Sequence, residues 1–307
     1  MPERADDRLP RPVGEPPDTP VVGSVWPTGA ASIATQLHEG GYHEATGADP
    51  VLMPPAIARY AITAFTRPGG IVLDPDCGAG TTVVEALRAG RHAIGLTSQR
   101  RWWRLARANV TATKARGVFV DGMVLVLDRR PGTAAAAETA GLTGRVDLLL
   151  TTLRPAHPHR GAADAVERFA AVLAQYRPLV RPGGHVVVTC SPQRHPVRHE
   201  LSDVPAQIVA AGIAAGLAPV ARCLALTATV RRGRAYTRAT LAQRRAVTRA
   251  ARALGHPIAL PAHHTALVFR ADPDSTGPAV AQPIPPLPTL PRTRRRARRV
   301  SPSAAAA

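Results

Sequence analysis

The sequence predicts an α/β protein built on a mostly parallel, doubly wound sheet. Three observations predict it. An apolar run ending in an acid, Ile71-Val-Leu-Asp74, passes through a glycine-rich turn, Pro75-Asp-Cys-Gly-Ala-Gly80, into a helical pattern that opens at Thr81. Short apolar runs alternate with helical patterns of ten or more residues, which is the connection that parallel strands require. Several of those runs are continuous rather than alternating, as in Val146-Asp-Leu-Leu-Leu-Thr151, which suits a strand covered on both faces.

The elements follow in order. Residues 1–24 are rich in Pro, Asp, Glu and Arg without periodicity and read as a disordered arm. Ordered structure is expected from Val25 and Trp26, with Ile33, Leu37 and Tyr42 on a short helix. Met53 to Phe65 carries Ile57, Tyr60, Ala61, Ala64 and Phe65 at helical spacing, and Pro54 and Pro55 suit its first turn. Arg67-Pro-Gly-Gly70 turns the chain into the strand that ends at Asp74. A helix to Arg88 stops at Gly90, His92 to Leu96 is the next strand, and Arg100 to Arg116 is a helix stopped by Gly117. Val118 to Leu127 supplies another apolar run, and the Ala-rich stretch from Pro131 to Thr143 fits either a helix or a loop. After the strand Val146 to Thr151 come a helix from Ala162 to Val180, a turn at Arg181-Pro-Gly-Gly184 and a strand from His185 to Cys190. Val204 to Ala215 is helical, Val220 to Val230 is a long strand, and Thr265 to Phe269 is the last one. A basic insert, Arg231 to Arg252, separates these two strands. Residues 272–307 are Pro-rich and then basic, ending in Arg292 to Arg299, and read as a disordered tail. One domain over residues 25–271 is the expectation.

The 307 residues carry a formal charge of +18, which favours a polyanionic partner, because arginines on one face gain affinity by releasing counterions from phosphates. Cys77, Cys190 and Cys223 are far apart and show no C-x-x-C spacing, so neither a disulfide framework nor a metal site is indicated. No run of about 18 apolar residues occurs, and the start lacks the basic end and apolar core of a signal peptide. A cytoplasmic protein is expected, associated with the nucleoid if it binds DNA, with no membrane contact.

The turn carries the chemistry. Gly78 and Gly80 let a ligand approach the backbone closely. The spacing is neither G-x-G-x-x-G nor a phosphate-binding P-loop, because no lysine follows the glycines and acids stand at the strand end. An acid there suits a cationic, hydroxyl-bearing ligand better than a polyphosphate. S-adenosylmethionine, with its ammonium and sulfonium, meets that requirement.

Leu73-Asp-Pro-Asp-Cys-Gly-Ala-Gly-Thr-Thr82 resembles the first motif of the DNA amino-methyltransferase family, D-P-F-C-G-x-G-T-T, whose members methylate the exocyclic amino group of cytosine (N-4) or adenine (N-6). The likeness is to actinobacterial-type members. It covers about residues 25–271 and is tightest from Pro50 to Asn109. The segment from Pro50 to Gly70 resembles the family helix that closes over the methionine end of the cofactor. The resemblance implies a Rossmann-like S-adenosylmethionine-dependent methyltransferase fold. It places Asp74 by the cofactor amino group, with Pro75 and Cys77 completing the motif, Gly78 and Gly80 admitting the ligand, and Thr81 and Thr82 starting the next helix. Asp76 stands where the family has an aromatic.

Other positions depart from the family pattern. The second strand should end in an acid that bonds the ribose hydroxyls, and here Gly95-Leu-Thr-Ser-Gln99 offers Thr97 or Ser98. A hydroxyl gives one neutral bond where a carboxylate gives two charge-assisted ones, each roughly twice as strong. Asp121, after the helix stopped at Gly117, could face the adenine amino group or be a solvated loop acid. At the fourth strand the family's [D/N/S]-P-P-[Y/F/W] is replaced by Thr152-Leu-Arg-Pro155. Thr152 falls at the polar position, Leu153 and Arg154 at the prolines, and Pro155 at the aromatic that would stack on a flipped base. Thr152 and the Leu153 carbonyl remain as acceptors, and His157 and His159 follow closely. The arginines of the insert could track a nucleic-acid backbone or form a solvated helix face.

Three functions stay open from the sequence. The first is S-adenosylmethionine-dependent methylation of a DNA base amino group. The others are a catalytically inactive paralogue that binds DNA, and an RNA methyltransferase.

Overall fold

A computed structural model of the chain describes residues 22–127, 141–153, 161–195 and 198–272. The arm, most of the Ala-rich stretch and the basic tail lie outside them. Twelve strands are described: β1 (Val25–Trp26), β2 (Ile71–Asp74), β3 (His92–Thr97), β4 (Gly122–Val126), β5 (Val146–Thr152), β6 (Val180–Cys190), β7 (Gln193–Arg194), β8 (Leu201–Ser202), β9 (Leu217–Leu226), β10 (Thr229–Arg231), β11 (Arg234–Tyr236) and β12 (His263–Ala271). Eight of them form one sheet in the order β1-β9-β12-β6-β5-β2-β3-β4. The run from β6 to β4 is parallel, β1 is parallel to β9, and β12 alone is antiparallel, to both β6 and β9. The α/β class and the mostly parallel sheet are therefore as the sequence predicts.

Period-two alternation sorts the core into two layers. Leu148 and Leu150 of β5 point into one cluster with Ile57, Val84 and Ala106, from the helices Pro55–Phe65, Thr81–Arg88 and Arg100–Lys114. Leu149 points into the other, with Phe169, Leu173 and Ile208 from the helices Gly161–Tyr176 and Val204–Ala214. Among the described residues no helix is long and apolar enough to cross a membrane. The three cysteines are buried and form no disulfide with one another.

Four local expectations are corrected. The first short helix spans Ile33–Glu39 and stops before Tyr42, because Gly40 and Gly41 end it and Gly41 has φ +56°. The Tyr42 hydroxyl instead donates to Glu85 Oε1 at 2.6 Å. The helix expected to reach Val180 ends at Tyr176, followed by one 3-10 turn that contains Pro178. Residues 181–184 are not a turn ahead of a strand but a bulge inside β6, which advances from Val180 to His185 while β5 advances from Val146 to Leu148. Asp147 holds that bulge, accepting from Arg181 Nε at 2.7 Å and from the Ile71 N–H at 2.8 Å. The long strand expected from Val220 to Val230 is divided: β9 stops at Leu226, and β10 pairs with β11 in a hairpin whose two-residue turn, Arg232-Gly233, has positive φ at both positions.

Candidate functional site

The chain runs outward from β2 to β3 and β4 and then returns to β5 and β6 on the other side of β2, so the strand order reverses between β2 and β5. In doubly wound sheets ligands lie outside the carboxyl ends of the strands at that reversal. Asp74 to Gly80 sits on one side of this crevice and Thr151 to Leu153 on the other. The fold thus brings the glycine turn beside Thr152 and Leu153.

Asp74 ends β2, is 3% exposed, and accepts from the Asp76 N–H at 3.1 Å. Cys77 donates its N–H to the Leu96 carbonyl, tying the turn to β3. Gly78 and Gly80 have φ of +51° and +83°, the left-handed region that glycine enters at no steric cost. A Cβ at Gly80 would lie 2.7 Å from Cβ of Ala106, so the turn also rests directly on the Arg100–Lys114 helix. The Gly78 N–H makes no hydrogen bond with any described residue. A buried carboxylate beside an open amide fits the ammonium and carboxylate of an amino-acid-bearing ligand such as S-adenosylmethionine.

Two residues that sequence reasoning missed hold the turn. Asp49 accepts from the Ala79 N–H at 3.0 Å and the Val51 N–H at 3.1 Å. Asn109 donates from Nδ2 to the Ala79 carbonyl at 3.0 Å and to Thr46 Oγ1 at 2.9 Å, while its Oδ1 accepts from the His43 N–H. The signal for Asn109 lay in its phase, since it falls on the buried face with Trp102, Ala106 and Thr113. Asp49 carried no periodic signal. Thr81 donates to the Met53 carbonyl at 2.8 Å, fastening the segment ahead of the Pro55–Phe65 helix to the turn, whereas the buried Thr82 hydroxyl has no partner among the described residues.

Thr97 ends β3 two residues beyond Gly95, the register partner of Asp74, so it stands at the same edge of the sheet. Its hydroxyl accepts from the Gln99 N–H at 3.3 Å, and Ser98 is exposed. Asp121 is at the other edge. It precedes β4, its side chain is 86% exposed, and it pairs with His92 at 3.3 Å. The length of β3, roughly 16 Å, separates that position from the crevice. Of the two readings open for Asp121, this exposed position suits the solvated loop acid, and the apolar run begins as strand only after it, at Gly122. The acid beyond the carboxyl end of β4 in sequence is Asp128, outside the described residues.

On the far side of the crevice the Thr152 and Thr189 hydroxyls share a 2.6 Å hydrogen bond, and Thr189 also reaches Met53 Sδ at 3.6 Å. Leu153 is buried and donates its N–H to the Thr189 carbonyl. Arg154, Pro155, His157 and His159 lie outside the described residues. Asp76 pairs with Arg168 at 3.2 Å. Asp76, Thr152, Leu153, Arg168 and Phe169 bound a recess of about 20 Å³, room for about one water. No group of three or more His, Cys, Asp or Glu that could hold a metal occurs among the described residues.

Further along the same edge Ser191 Oγ lies 3.3 Å from His264 Nε2, and His264 Nδ1 is buried without a partner among the described residues. Burial, and then the neighbouring His263, push the His264 pKa from 6.5 down to about 4. A depressed histidine pKa means that the unfolded chain binds the proton more tightly. The stabilisation is therefore complete above pH 6.5 and is lost as pH falls toward 4, on the order of 3 kcal/mol in all. Denaturant titrations at pH 7 and pH 4.5 should show this slope, and His264→Gln should flatten it. An unchanged slope in the variant would place the acid sensitivity elsewhere.

Comparisons with known proteins agree with the turn. Residues 5–107 match the family model described as DNA methylase. The Type II methyltransferase M2.DpnII of Streptococcus pneumoniae is 36% identical over 66 residues, which are 22% of this chain and 25% of that protein. The match thus spans about a quarter of that relative's length. Among solved structures, a geranyl diphosphate methyltransferase in complex with SAM is similar with a TM-score of 0.46 and 13% identity, over 71% of this chain and 85% of that one. TrmN from Thermus thermophilus has a TM-score of 0.41 and 18% identity, over 71% and 49%.

Proposed function

Proceeding from the DNA methylase match, which takes in both the glycine turn and the segment fastened over it, we propose that the chain is an S-adenosylmethionine-dependent methyltransferase acting on an exocyclic amino group of a DNA base. One observation carries the reading: a buried Asp74 carboxylate and an open Gly78 amide stand together where the strand order reverses, in a turn held on both sides by Asp49 and Asn109. Asp74 receives the cofactor ammonium, Gly78 donates to its carboxylate, and Thr97 or Ser98 meets the ribose. Bound there, the cofactor supplies a methyl group made electrophilic by its sulfonium. Thr152 and the Leu153 carbonyl are the groups on the opposite wall that can accept from the target amine.

A second reading has its own support. The Thr152 hydroxyl is already engaged by Thr189, and positions 152–155 contain no aromatic ring to stack on a base. Such stacking contributes about 1–3 kcal/mol per base, so a chain without it suits a paralogue that binds cofactor and DNA without transfer. Titration of the purified chain with S-adenosylmethionine, followed by transfer of labelled methyl to DNA, separates the two. For an enzyme, Thr152→Val is expected to cut transfer at least about tenfold, by the loss of one hydrogen bond to the amine, with cofactor affinity unchanged. Cofactor binding without transfer establishes the paralogue. Transfer to tRNA in place of DNA establishes an RNA substrate, and no cofactor binding at millimolar concentration removes the whole reading.

A further inference from the structure

The carboxylates are unevenly distributed. None occurs between Glu85 and Asp121, nor between Asp203 and Asp272. Elsewhere arginines find acids: Arg59 pairs with Glu85, Arg168 with Asp76 and Arg181 with Asp147, and Arg88, at the very start of the first stretch, reaches back to Glu85. In the two acid-free stretches Arg100, Arg101 and Arg104, and again Arg231, Arg232 and Arg234, are exposed and form no ion pair with any described residue.

Topology puts both groups at the edge of the sheet that holds the crevice. The Arg100–Lys114 helix starts directly beyond the carboxyl end of β3. The β10–β11 hairpin starts beyond the carboxyl end of β9, since β9 and β6 are both antiparallel to β12 and so point the same way. Along β9-β12-β6-β5-β2-β3 the two positions are five strand spacings apart, roughly 24 Å at about 4.8 Å each. The crevice between β5 and β2 lies between them.

One arginine of the first group is held by a ring, and the hairpin that carries the second is anchored at its base. Arg101 lies over the Trp102 ring at 4.2 Å, and the buried indole fixes it while its in-plane N–H donors stay available. A groove of about 400 Å³ runs beside it, bounded by His43, Ala48, Arg101, Arg104 and Leu105. At the other end Arg238 donates to the Gly29 and Ala30 carbonyls at 2.8 and 2.9 Å. Gly29 is pressed so closely on Ala228 that a Cβ would meet its carbonyl oxygen at 2.1 Å. The Arg101 guanidinium, fixed on the indole before binding, loses little freedom when it meets a phosphate.

We infer that duplex DNA crosses the carboxyl edge of the sheet held at two stations, the Arg100–Arg104 end of the helix and the β10–β11 hairpin, with the crevice between them. This rests on the proposed DNA substrate and adds its path. At 3.4 Å per base pair the stations bracket about seven base pairs. Each phosphate contact removed should flatten the dependence of log affinity on log salt by about 0.9.

The test measures binding of the full chain to a labelled duplex between 50 and 200 mM salt. The double variant Arg101→Ala, Arg104→Ala is expected to flatten the slope by about 2, and Arg231→Ala, Arg232→Ala, Arg234→Ala by about 3, with S-adenosylmethionine affinity unchanged in both. Affinity of the wild-type chain should rise sharply as the duplex lengthens past about seven base pairs. Arg104→Ala alone, which disturbs no ring contact, should flatten the slope by about 1. Wild-type slope in the helix variants, with a flattened slope in the hairpin variant, overturns the path and leaves the DNA substrate standing. Equal displacement by duplex RNA of the same length overturns the assignment to DNA. A wild-type chain that binds no duplex removes the DNA substrate and the path together.

Discussion

Asp74→Asn is expected to weaken S-adenosylmethionine binding by roughly 10- to 100-fold without unfolding the chain. A hydrogen bond to a charged group contributes about 1.5–3 kcal/mol, and here the carboxylate is withdrawn from water at the end of β2. Asparagine keeps an oxygen for the Asp76 N–H, so the turn survives the change. Gly80→Ala is a different kind of lesion, because it forces an alanine to φ +83° against Ala106 and damages the turn itself. Calorimetric titration with the cofactor beside a thermal melt distinguishes them. Wild-type affinity in Asp74→Asn would put the cofactor somewhere other than this strand end.

Glu85→Ala should have the largest effect on stability. Glu85 is 0% exposed within the Thr81–Arg88 helix, and its two oxygens accept from Tyr42 at 2.6 Å, Arg59 at 2.8 Å and Arg88 at 2.6 Å. Removing one member of a buried charge network costs about 3–5 kcal/mol, because the remaining groups lose their counter-charge inside the protein. Arg59 is mostly exposed and can turn to water, which places the loss near 3 kcal/mol. In a domain of this size that lowers the melting temperature by roughly 6–12 °C. Glu85→Gln retains an acceptor for Tyr42 and should lose less. A loss below about 1 kcal/mol in Glu85→Ala would show that the network is not what holds the 40–42 turn to the helix.

What the sequence made legible is what local patterns encode. Leu73 to Thr82 announces a strand, a turn and a helix within ten residues, and each is where the pattern puts it. The parallel sheet follows from alternating apolar runs and helices. Less visible are features set by partners distant in sequence. Arg181-Pro-Gly-Gly184 has the composition of a turn and becomes a bulge because Asp147 and β5 hold both of its ends. Val220 to Val230 is mostly apolar, with Arg222, Thr227 and Thr229 within it, and the strand breaks where Gly29 packs on Ala228, a contact no periodicity reveals. Asp121 follows a helix and precedes a strand, so the chemistry of its carboxylate was legible and the end of the sheet it occupies was not. Asp49 escaped notice because one acid in an irregular segment has no pattern, although two backbone amides converge on it.

The pairing of β1 with β9 also constrains the order in which the chain can fold during synthesis. Val25 registers with Leu224, Thr28 bonds the Leu226 carbonyl across 198 residues, and Arg238 reaches Ala30 across 208. At about 5–20 residues per second, the ribosome needs roughly 10–40 s to deliver the partners of the first strand. Until then Trp26, fully buried in the finished domain, has no strand to pack on. The β2 to β6 portion can assemble first, crevice included, and the segment from Val25 to Ala30 is among the last described parts to find its place.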